Sequence, residues 1–423
     1  MIKSNRRKFL STLPLLSGYL FAGASTTGQS KIPYLDPALD VTRDEDFWHQ
    51  IKQAYSVSPT LVNLNNGGVC PQPRVVQEAV EHYNRWSNET PTYYMWRILD
   101  KGRETIRRKL AELADVDTEE IAINRNASEA LETIIFGLPL ERGDEVILTK
   151  QDYPNMMNAW KQREHRDGIV LKWLSFEFPS EDIDMMVRTY REAITPKTKI
   201  IHLTHMINWC GQLMPAKEII QMAHDAGLEV VLDSAHTFAH IPFSYRDLDC
   251  DYSGTSLHKW LCAPYGSGML QIKKEHISKI YPLFGSPDPV VDDVRKFEHL
   301  GTRSFAIEQA IGHAIDFHQM IGAKRKFERV HYLKNYWMEA VKDLPGIQLG
   351  TSLKPEFGGG IGFFGIDGME PGTIASELFK KNRVHTVAMN VENIHGVRVT
   401  PNVYTLTTDL DVLINGIKSI INS

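Results

Sequence analysis

Apolar and polar positions along the middle of the chain follow two rhythms, one helical and one extended. Residues 216–226 show the helical rhythm, beginning after Pro215 and ending at Gly227, both ordinary helix boundaries. Residues 230–232 form a continuous β-branched and apolar run that ends in Asp233. The same alternation predicts helices at 104–114 and 128–136 and strands at 121–123, 145–148, 169–174 and 199–203. Continuous apolar strands between helices are typical of buried parallel sheets, so we predict an α/β fold with helices on both sheet faces.

The pattern changes near residue 309, where a long helical stretch begins and runs to about residue 342. Shorter elements follow, with strands predicted at 360–366 and 397–400 and helices at 372–381 and 409–420. This change indicates a domain boundary. The predicted organisation is an N-terminal arm at 25–60, a large domain at 61–308 and a smaller C-terminal α/β domain at 309–423.

The composition is that of a globular protein and narrows the range of partners. The 423 residues are 42% hydrophobic and 23% charged, enough apolar material for two packed domains. The formal net charge is −5 and no long run of lysine and arginine occurs. This argues against nucleic acid or an anionic membrane surface as a partner. No apolar stretch of about 18 residues follows the N-terminal segment, so we expect no membrane attachment in the mature protein.

The first 24 residues have the pattern of an export signal. A charged start that contains Arg6-Arg7 is followed by the apolar stretch 11–21 and by the small residues 22–24. The paired arginines favour a twin-arginine signal over a general secretory signal or a membrane anchor. We therefore expect residues 1–24 to be a signal peptide and the protein to be periplasmic or extracellular.

Four cysteines, Cys70, Cys210, Cys250 and Cys262, are few for an exported chain of this length. Their spacing matches no zinc site and defines no disulfide framework. An oxidising compartment permits a disulfide bond, but the spacing does not select one.

Asp233 and Lys259 form the most informative pair in the sequence. Asp233 ends a predicted buried strand, where open α/β sheets place their ligands, and Lys259 follows on a polar loop. A lysine amine can form a Schiff base with an aldehyde, and a buried carboxylate can keep a pyridine nitrogen protonated. Together they indicate the cofactor pyridoxal 5′-phosphate (PLP), with Lys259 as the base that removes an α-proton.

Around this pair the chain resembles the class V aminotransferases, a superfamily of fold-type I PLP enzymes that includes cysteine desulfurases and isopenicillin N epimerase. The resemblance runs from Leu64-Asn65-Asn66-Gly67-Gly68 to Arg398, with Ala127-Ser128-Glu129 and the Asp233 and Lys259 pair in family order. It implies a large domain with a mainly parallel sheet of the seven-stranded type between helices. It also implies a homodimer with active sites at the subunit interface.

The resemblance assigns five residues to the cofactor phosphate. Ala127 and Ser128 match the turn that opens a helix under the phosphate, and a helix N-terminus favours an anion. Ser256 and His258, close to the lysine in sequence, would bind the same group. Thr302 matches a turn that reaches the phosphate of the neighbouring subunit.

The resemblance also assigns residues to the cofactor ring and to the substrate. Tyr153 takes the position that stacks on the pyridine, where cysteine desulfurases have a histidine. Asn208 would lie near the phenolic oxygen or the substrate, and His236 would either face that oxygen or be a satisfied polar group beside the site. Arg398 matches the arginine that holds the substrate α-carboxylate, and Asn66 is a candidate substrate contact.

Two other strings suggest different ligands. Residues 360–365 satisfy G-x-G-x-x-G, but a dinucleotide loop follows a strand and opens a helix, whereas this string is itself strand-like. His202 with His205, and His236 with His240, suggest a metal site. The first pair lacks the glutamate of a helical zinc motif and His236 has a use at the cofactor, so we expect no metal.

Two functions without PLP chemistry are also considered. Ser256-x-x-Lys259 and Tyr153-x-Asn155 resemble strings of penicillin-recognising serine enzymes, but no Lys-Thr-Gly occurs and their order is reversed. That remote alternative, a serine acyl-enzyme, leaves Asp233 unexplained. A binding module that has lost catalysis is disfavoured because Lys259, Asp233 and Arg398 are all present.

The reaction is less narrowly defined than the family. Cysteine desulfurases need a nucleophilic cysteine shortly before the carboxylate-binding arginine, and residues 382–398 contain none. The Asn-Asn-Gly-Gly start, Tyr153-Pro154 and Thr400-Pro401 are most similar to the isopenicillin N epimerase-like branch. We predict an epimerase or aminotransferase acting at the α-carbon of an amino acid, with a PLP-dependent carbon–sulfur (β-elimination) lyase as the alternative.

Overall fold

The computed structural model of the protein describes residues 40–422. The predicted signal peptide, residues 1–24, lies outside the described residues. Within residues 40–422 no helix has both the length and the apolar character needed to cross a membrane.

A seven-stranded sheet dominates the described part of the chain. The strands in chain order are β1 Val62–Asn63, β2 Ile121–Asn124, β3 Glu145–Thr149, β4 Val170–Leu174, β5 Thr198–Thr204, β6 Glu229–Asp233, β7 Tyr252–Ser256, β8 Gly268–Ile272, β9 Ile347–Leu349, β10 Gly362–Ile366, β11 Val384–His385, β12 Val387–Val391 and β13 Ile394–Val399. The large sheet has the order β2-β8-β7-β6-β5-β3-β4. Strand β8 runs antiparallel to both neighbours, and the other pairings are parallel. The predicted α/β class with a mainly parallel seven-stranded sheet is confirmed.

The two faces of this sheet bury separate apolar cores. Val230 and Leu232 belong to one core and Val231 to the other. Successive side chains of a strand point to opposite faces, so a continuous apolar run needs helices on both. The described α-helices are α1 Glu45–Lys52, α2 Arg74–Glu89, α3 Pro91–Tyr93, α4 Asp100–Ala114, α5 Ala127–Gly137, α6 Pro154–Asp167, α7 Ile183–Ala193, α8 Ala216–Asp225, α9 Tyr245–Leu248, α10 Phe305–Ile321, α11 Ala323–Val341, α12 Pro371–Asn382 and α13 Thr407–Ile421.

Several elements differ from the sequence-based prediction, and two of these differences have a clear physical cause. The helical stretch predicted at 309–342 is two helices, α10 and α11, because Gly322 between them has a φ of +90°, which glycine adopts at little cost. Strands β7 and β8 were not predicted. Strand β7 reads Tyr-Ser-Gly-Thr-Ser, which lacks the apolar run of its neighbours. A Cβ atom on Gly254 would lie 2.6 Å from Leu131 Cγ, so the small residues of β7 allow helix α5 to pack closely against it.

A second, antiparallel sheet of four strands has the order β12-β13-β10-β9. Strand β10 contains most of the G-x-G-x-x-G string, and a Cβ atom on Gly362 would lie 2.5 Å from the Trp337 ring. These glycines therefore serve close packing within a strand. Strand β1 pairs with β11, so residues 62–63 join the C-terminal part of the chain. The division at residue 308 stays a prediction.

Glu298 anchors strand β2, which leads into the site described below. Its carboxylate accepts hydrogen bonds from Ile123 N at 2.6 Å and from Arg107 at 2.7 and 2.9 Å. Arg107 is fully buried, and its other carboxylate partner, Glu104, is half exposed. Glu298 therefore accepts from a strand N–H group and is the buried carboxylate partner of Arg107.

Replacing Glu298 by alanine is expected to lower the free energy of unfolding by about 3 kcal/mol, because the Ile123 N–H group would lose its acceptor and the buried Arg107 would keep only the half-exposed Glu104 as a carboxylate partner. Urea unfolding followed by tryptophan fluorescence measures the change. Glu392→Ala is the control, since it removes a partly exposed ion pair with Lys150 and should cost less than about 1 kcal/mol. Equal losses in the two variants would contradict the structural importance of Glu298.

Candidate active site

A cavity of about 430 Å³ lies at the carboxyl ends of the parallel strands. Open α/β sheets bind ligands at this edge, and the volume suits a small cofactor with part of its substrate. Ten of the twelve predicted site residues line the cavity: Ala127, Ser128, Tyr153, Asn208, Asp233, His236, Ser256, His258, Lys259 and Arg398. The structure does not bring Asn66 or Thr302 to its lining.

Lys259 lies on the turn after β7 with its amine in the cavity. Its Nζ atom is 2.9 Å from His236 Nε2. Burial lowers the pKa of Lys259 from 10.5 to about 8, against the opposing effect of the Asp233 charge. At neutral pH the fraction of Lys259 in the neutral amine form is therefore larger than for an ordinary exposed lysine. The neutral amine is the form that attacks an aldehyde.

Trp260 determines which nitrogen of His236 carries the proton. Trp260 Nε1 donates to His236 Nδ1 at 3.4 Å, and burial holds the pKa of His236 well below its usual value. The ring is therefore neutral, and its proton is assigned to Nε2. An Nε2–H group can donate to the Lys259 nitrogen only when that nitrogen is unprotonated. The hydrogen bond from Trp260 to His236 and the burial of Lys259 therefore both favour the neutral form of the Lys259 amine.

His240 supports this arrangement from behind. Its ring stacks on Trp260 with centroids 3.5 Å apart, its Nε2 accepts from Gly360 N at 2.7 Å, and its Nδ1 lies 2.7 Å from the His236 carbonyl oxygen. Both ring nitrogens are used for hydrogen bonds, so His236 and His240 are not arranged as metal ligands. The described residues contain no cluster of three or more side chains suited to a metal ion.

Asp233 ends strand β6 beside Lys259. Its Oδ1 atom accepts a hydrogen bond from Ala235 N at 2.9 Å, and the carboxyl is buried. Burial raises the pKa of Asp233, whereas the Ala235 N–H and the Lys259 charge lower it. A buried carboxylate stays ionised when a cation faces it. A protonated pyridine nitrogen is such a cation, so Asp233 suits the predicted position.

Helix α5 begins at the cavity and provides a turn for an anion. Asn126 caps the helix with its side chain, and Ala127 N donates to Ser256 Oγ at 2.9 Å. Ser128 and His258 line the same cavity. A helix N-terminus with two adjacent hydroxyl groups is a suitable site for a phosphate. Four of the five predicted phosphate residues therefore line one cavity, and Thr302 does not.

Tyr153 stands at the opening of the cavity, 40% exposed. Its ring centroid is 5.9 Å from Lys259 Nζ and 6.4 Å from the ring of Trp209, with an interplanar angle of 29°. Trp209 is held in turn by a hydrogen bond from Nε1 to the Gln151 carbonyl oxygen at 2.8 Å. The two rings form an aromatic wall beside the amine, as expected of a residue that stacks on a cofactor ring.

Arg398 is a buried cation in the cavity without a carboxylate partner among the described residues. It donates to the Asn208 carbonyl oxygen at 2.8 Å and to Asn65 Oδ1 at 3.0 Å, while its Nε has no hydrogen-bond partner. Burial lowers its pKa to about 10. Asn208 Oδ1 is also buried and unpaired. An arginine held by two neutral oxygens in a cavity suits an anionic ligand such as a carboxylate.

Asn66 and Thr302 lie outside the cavity lining. The Asn66 amide is already used, since Nδ2 donates to the Thr400 carbonyl oxygen at 2.8 Å and Oδ1 accepts from Tyr404 at 2.6 Å. Asn66 therefore shapes the loop, whereas its neighbour Asn65 contacts Arg398. Thr302 is exposed, and its assignment to the phosphate of a neighbouring subunit stays a prediction.

Several residues at the site were missed by the sequence analysis. Trp209 and Met389 line the cavity, and Asn65 positions Arg398. Gly268 was also overlooked, although a Cβ atom there would lie 2.5 Å from Asn126 N and would push β8 away from the phosphate turn. Trp209 follows Asn208 directly and could have been found from that adjacency. No sequence signal connects Met389 or Gly268 to the site.

The hydrogen-bond donors and acceptors that line the cavity match the functional groups of PLP. It contains a buried amine for the aldehyde, a carboxylate for the ring nitrogen, a helix N-terminus for the phosphate and an aromatic ring at the opening. The unpaired buried Asn208 Oδ1 and Arg398 Nε leave hydrogen-bonding capacity for a ligand. The arrangement suits chemistry at the α-carbon of an amino acid.

A family model described as aminotransferase class-V matches residues 62–400. Similar relatives include an isopenicillin N epimerase from Streptomyces clavuligerus, 26% identical over 88% of this chain and 98% of its own. Another isopenicillin N epimerase, from Amycolatopsis lactamdurans, is 25% identical over 88% of this chain and 98% of its own. A probable cysteine desulfurase from Synechocystis is 27% identical over 80% of this chain and 84% of its own.

Solved structures share the fold. A cysteine desulfurase from Escherichia coli superposes with a TM-score of 0.77 at 21% identity, over 89% of this chain and 98% of that chain. The cystine C–S lyase C-DES, in complex with its product cysteine persulfide, has a TM-score of 0.76 at 20% identity, over 84% of this chain and 97% of that chain.

Proposed function

The chain belongs to the class V aminotransferase family of PLP enzymes, and from this premise we propose that it epimerises or transaminates an amino acid, or a similar amino compound, at the α-carbon. The observation that carries the proposal is the convergence of Lys259, Asp233 and Arg398 in one cavity. The full-length similarity to two isopenicillin N epimerases supports the epimerase-like branch.

Each of these residues has a task at the substrate. Bound PLP supplies an electron-withdrawing ring that makes the α-proton of the substrate acidic. Arg398 binds the substrate carboxylate through the N–H groups that Asn65 and Asn208 leave free. Lys259 accepts the α-proton, and its lowered pKa places it near the best value for a base at neutral pH.

Epimerisation also needs a proton donor on the other face of the substrate. His236 contacts Lys259 Nζ directly, and Trp260 determines its tautomer. Its role is therefore to donate a hydrogen bond to the lysine nitrogen. We assign the second proton to the hydroxyl group of Tyr153, whose ring centroid is 5.9 Å from the same nitrogen. Transamination would instead need no donor at this position.

A carbon–sulfur lyase is the second candidate, because cysteine desulfurases are among the relatives. Against persulfide transfer, residues 382–398 contain no cysteine, and the segment places the thioether of Met389 in the cavity. All four cysteines are buried. A β-elimination that releases sulfur without a protein thiol remains compatible with Lys259 as the base.

The experiment that tests the proposal incubates the PLP-loaded enzyme with single D- and L-amino compounds in deuterated water. A gain of one deuterium at the α-carbon with loss of optical purity indicates epimerisation, and formation of a keto acid indicates transamination. Pyruvate with ammonia, or alanine with sulfide, would contradict the proposal in favour of the lyase or the desulfurase. Lys259→Ala is the control for exchange that does not depend on the enzyme.

Export and dimerisation complete the proposal. The twin-arginine pattern supports delivery of a folded, PLP-loaded protein to the periplasm.

Exposure of Thr302 leaves that residue free to meet a second copy of the chain, which supports a homodimer. The surface also exposes large apolar side chains, among them Tyr93, Trp96, Tyr281 and Phe284.

A further inference from the structure

Cys70 and Cys262 meet directly behind the turn that carries Lys259. Cys70 follows the glycine loop at the cavity wall, and its N–H donates to the His258 carbonyl oxygen at 3.2 Å. Cys262 N donates to the Lys259 carbonyl oxygen at 3.0 Å. The Cys70 thiol lies beside the Cys262 sulfur and also donates to the Asn66 carbonyl oxygen at 3.2 Å, and both thiols are buried. Neither thiol has a task in the proposed reaction.

Several donors converge on the sulfur of Cys262. Besides Cys70, the Tyr55 hydroxyl lies 3.9 Å from it and Asn402 Nδ2 lies 3.8 Å from it. The Trp260 carbonyl oxygen accepts from the Cys262 thiol at 3.7 Å and also from the buried ammonium of Lys326, which places this cation close to the sulfur. A thiol can accept only weakly, so a group of donors with a nearby cation is better matched to a thiolate.

The electrostatics of the pair are asymmetric. The hydrogen bond from Cys70 lowers the pKa of Cys262 to about 6, with further help from Lys326. Burial raises the pKa of Cys70, and burial likewise raises the pKa of Cys210 and of Cys250. Cys262 is therefore suited to attack a disulfide as a thiolate. Cys70 is suited to supply a proton and then to displace the group bound to the Cys262 sulfur.

We propose that Cys70 and Cys262 are a redox-active pair that reacts with small-molecule disulfides and closes into a reversible disulfide bond. The Cys262 thiolate attacks one sulfur of the disulfide R–S–S–R, and one RS⁻ leaves. Cys70 then attacks the Cys262 sulfur, the second RS⁻ leaves, and the Cys70 proton ends on a released thiolate. The two cysteine sulfurs are oxidised to a disulfide, and R–S–S–R is reduced to one thiol and one thiolate, which takes a proton from water.

The bond would join two parts of the active site. Gly67, Gly68 and Val69, just before Cys70, line the cavity, as do His258 and Lys259 on the other side. A disulfide shortens the separation of two sulfurs to about 2.05 Å, so the loop would be drawn toward the lysine turn. It would also remove the anion that Lys326 faces. We therefore expect the oxidised enzyme to lose turnover reversibly.

Access to the pair requires a local opening of the loop. Gly68 and Val69 line both the 430 Å³ cavity and a neighbouring cavity of about 580 Å³, which also includes Pro71. The residues on both sides of Cys70 are thus at cavity walls. Oxidation of the folded protein should be slower than that of an exposed thiol but complete.

The test uses the PLP-loaded enzyme incubated with oxidised glutathione, followed by thiol counting in denaturant. The count should fall from four to two, the mass should fall by about 2 Da, and a peptide map should join Cys70 to Cys262. Dithiothreitol should restore four thiols and turnover. An unchanged count, or a disulfide that involves Cys210 or Cys250, would overturn the proposal.

Matched variants identify the attacking thiol. Cys70→Ser should stop at a glutathione adduct on Cys262, whereas Cys262→Ser should resist modification at Cys70. Cys210→Ser is the control and should still form the bond. If a variant fails to fold, the peptide map of the wild-type enzyme alone decides. The thiol count and the peptide map are independent of the amino-acid reaction, because neither measurement needs a substrate.

Discussion

Alanine in place of Lys259 is expected to lower kcat by about 10³-fold or more, because the chain would lose both the amine that holds the cofactor and the base for the α-proton. Among the described residues that line the cavity, Lys259 is the only lysine, and the nitrogen next to its amine belongs to the neutral His236 ring. Measurement of kcat for the wild type and the variant, with the substrate found in the deuterium experiment, tests this expectation. Borohydride reduction followed by peptide mapping should label Lys259 in the wild type.

A pH series on the cofactor-free enzyme gives the same lysine a second readout. Below its pKa the lysine nitrogen is protonated and cannot attack an aldehyde, so the rate of PLP capture should rise with pH. Burial lowers the pKa of Lys259, so the midpoint should lie at about pH 8 and not at the ordinary value of 10.5. Lys217→Ala, on the exposed face of α8, should change neither result. Turnover by Lys259→Ala within tenfold of the wild type would refute the assignment.

The parts of the fold that the sequence predicted correctly are those that bury apolar residues on both sides. Strand β6 is a run of Val230, Val231 and Leu232 whose side chains enter two different cores, and such a run has few other uses. Strand β7 lies beside it in the same sheet but contains serine, threonine and glycine. Strand β7 has small residues because helix α5 packs closely against it at Gly254. This contact joins residues that are distant in sequence.

The same distinction holds in the active site. Lys259 and Asp233 are recognisable because the chemistry of PLP demands their side chains near a strand end. Asn66 was chosen from the Asn-Asn-Gly-Gly string, but the structure uses its amide to hold the loop against Thr400 and gives the Arg398 contact to Asn65. Neighbouring identical residues can be distinguished only by where their side chains point. Sequence position does not encode that direction.

The roles of Trp260 and the two cysteines also depend on long-range contacts. Trp260 follows the lysine directly, yet its effect arises because its N–H reaches His236, which precedes it by more than twenty positions. Cys70 and Cys262 are far apart in the chain, and no spacing rule pairs them. They come into contact because the loop that contains Gly67 and Gly68 packs against the turn that carries Lys259. The hydrogen bond from Cys70 N to the His258 carbonyl oxygen joins the two segments.

Replacing Asp233 by asparagine should lower kcat by roughly 10²- to 10³-fold and weaken PLP binding while the protein still folds. Asparagine has nearly the same size, and its oxygen can keep the hydrogen bond from Ala235 N. The variant therefore removes the negative charge with little change in packing. Because the carboxylate sits beside Lys259 at the end of a buried strand, its charge acts in a medium that screens it poorly.

The measurements for Asp233→Asn are kcat, the dissociation constant for PLP and the melting temperature of the cofactor-free form. Burial raises the pKa of Asp233, so its ionised form is costly in the empty cavity and gains most when a cation faces it. The cofactor-free variant should consequently be at least as stable as the wild type, while the PLP-loaded variant is less stable than its wild-type counterpart. Asp225→Asn, on an exposed helix end, should leave all three quantities unchanged. If Asp233→Asn bound PLP as tightly as the wild type and kept its kcat, the carboxylate would have no function at the ring nitrogen.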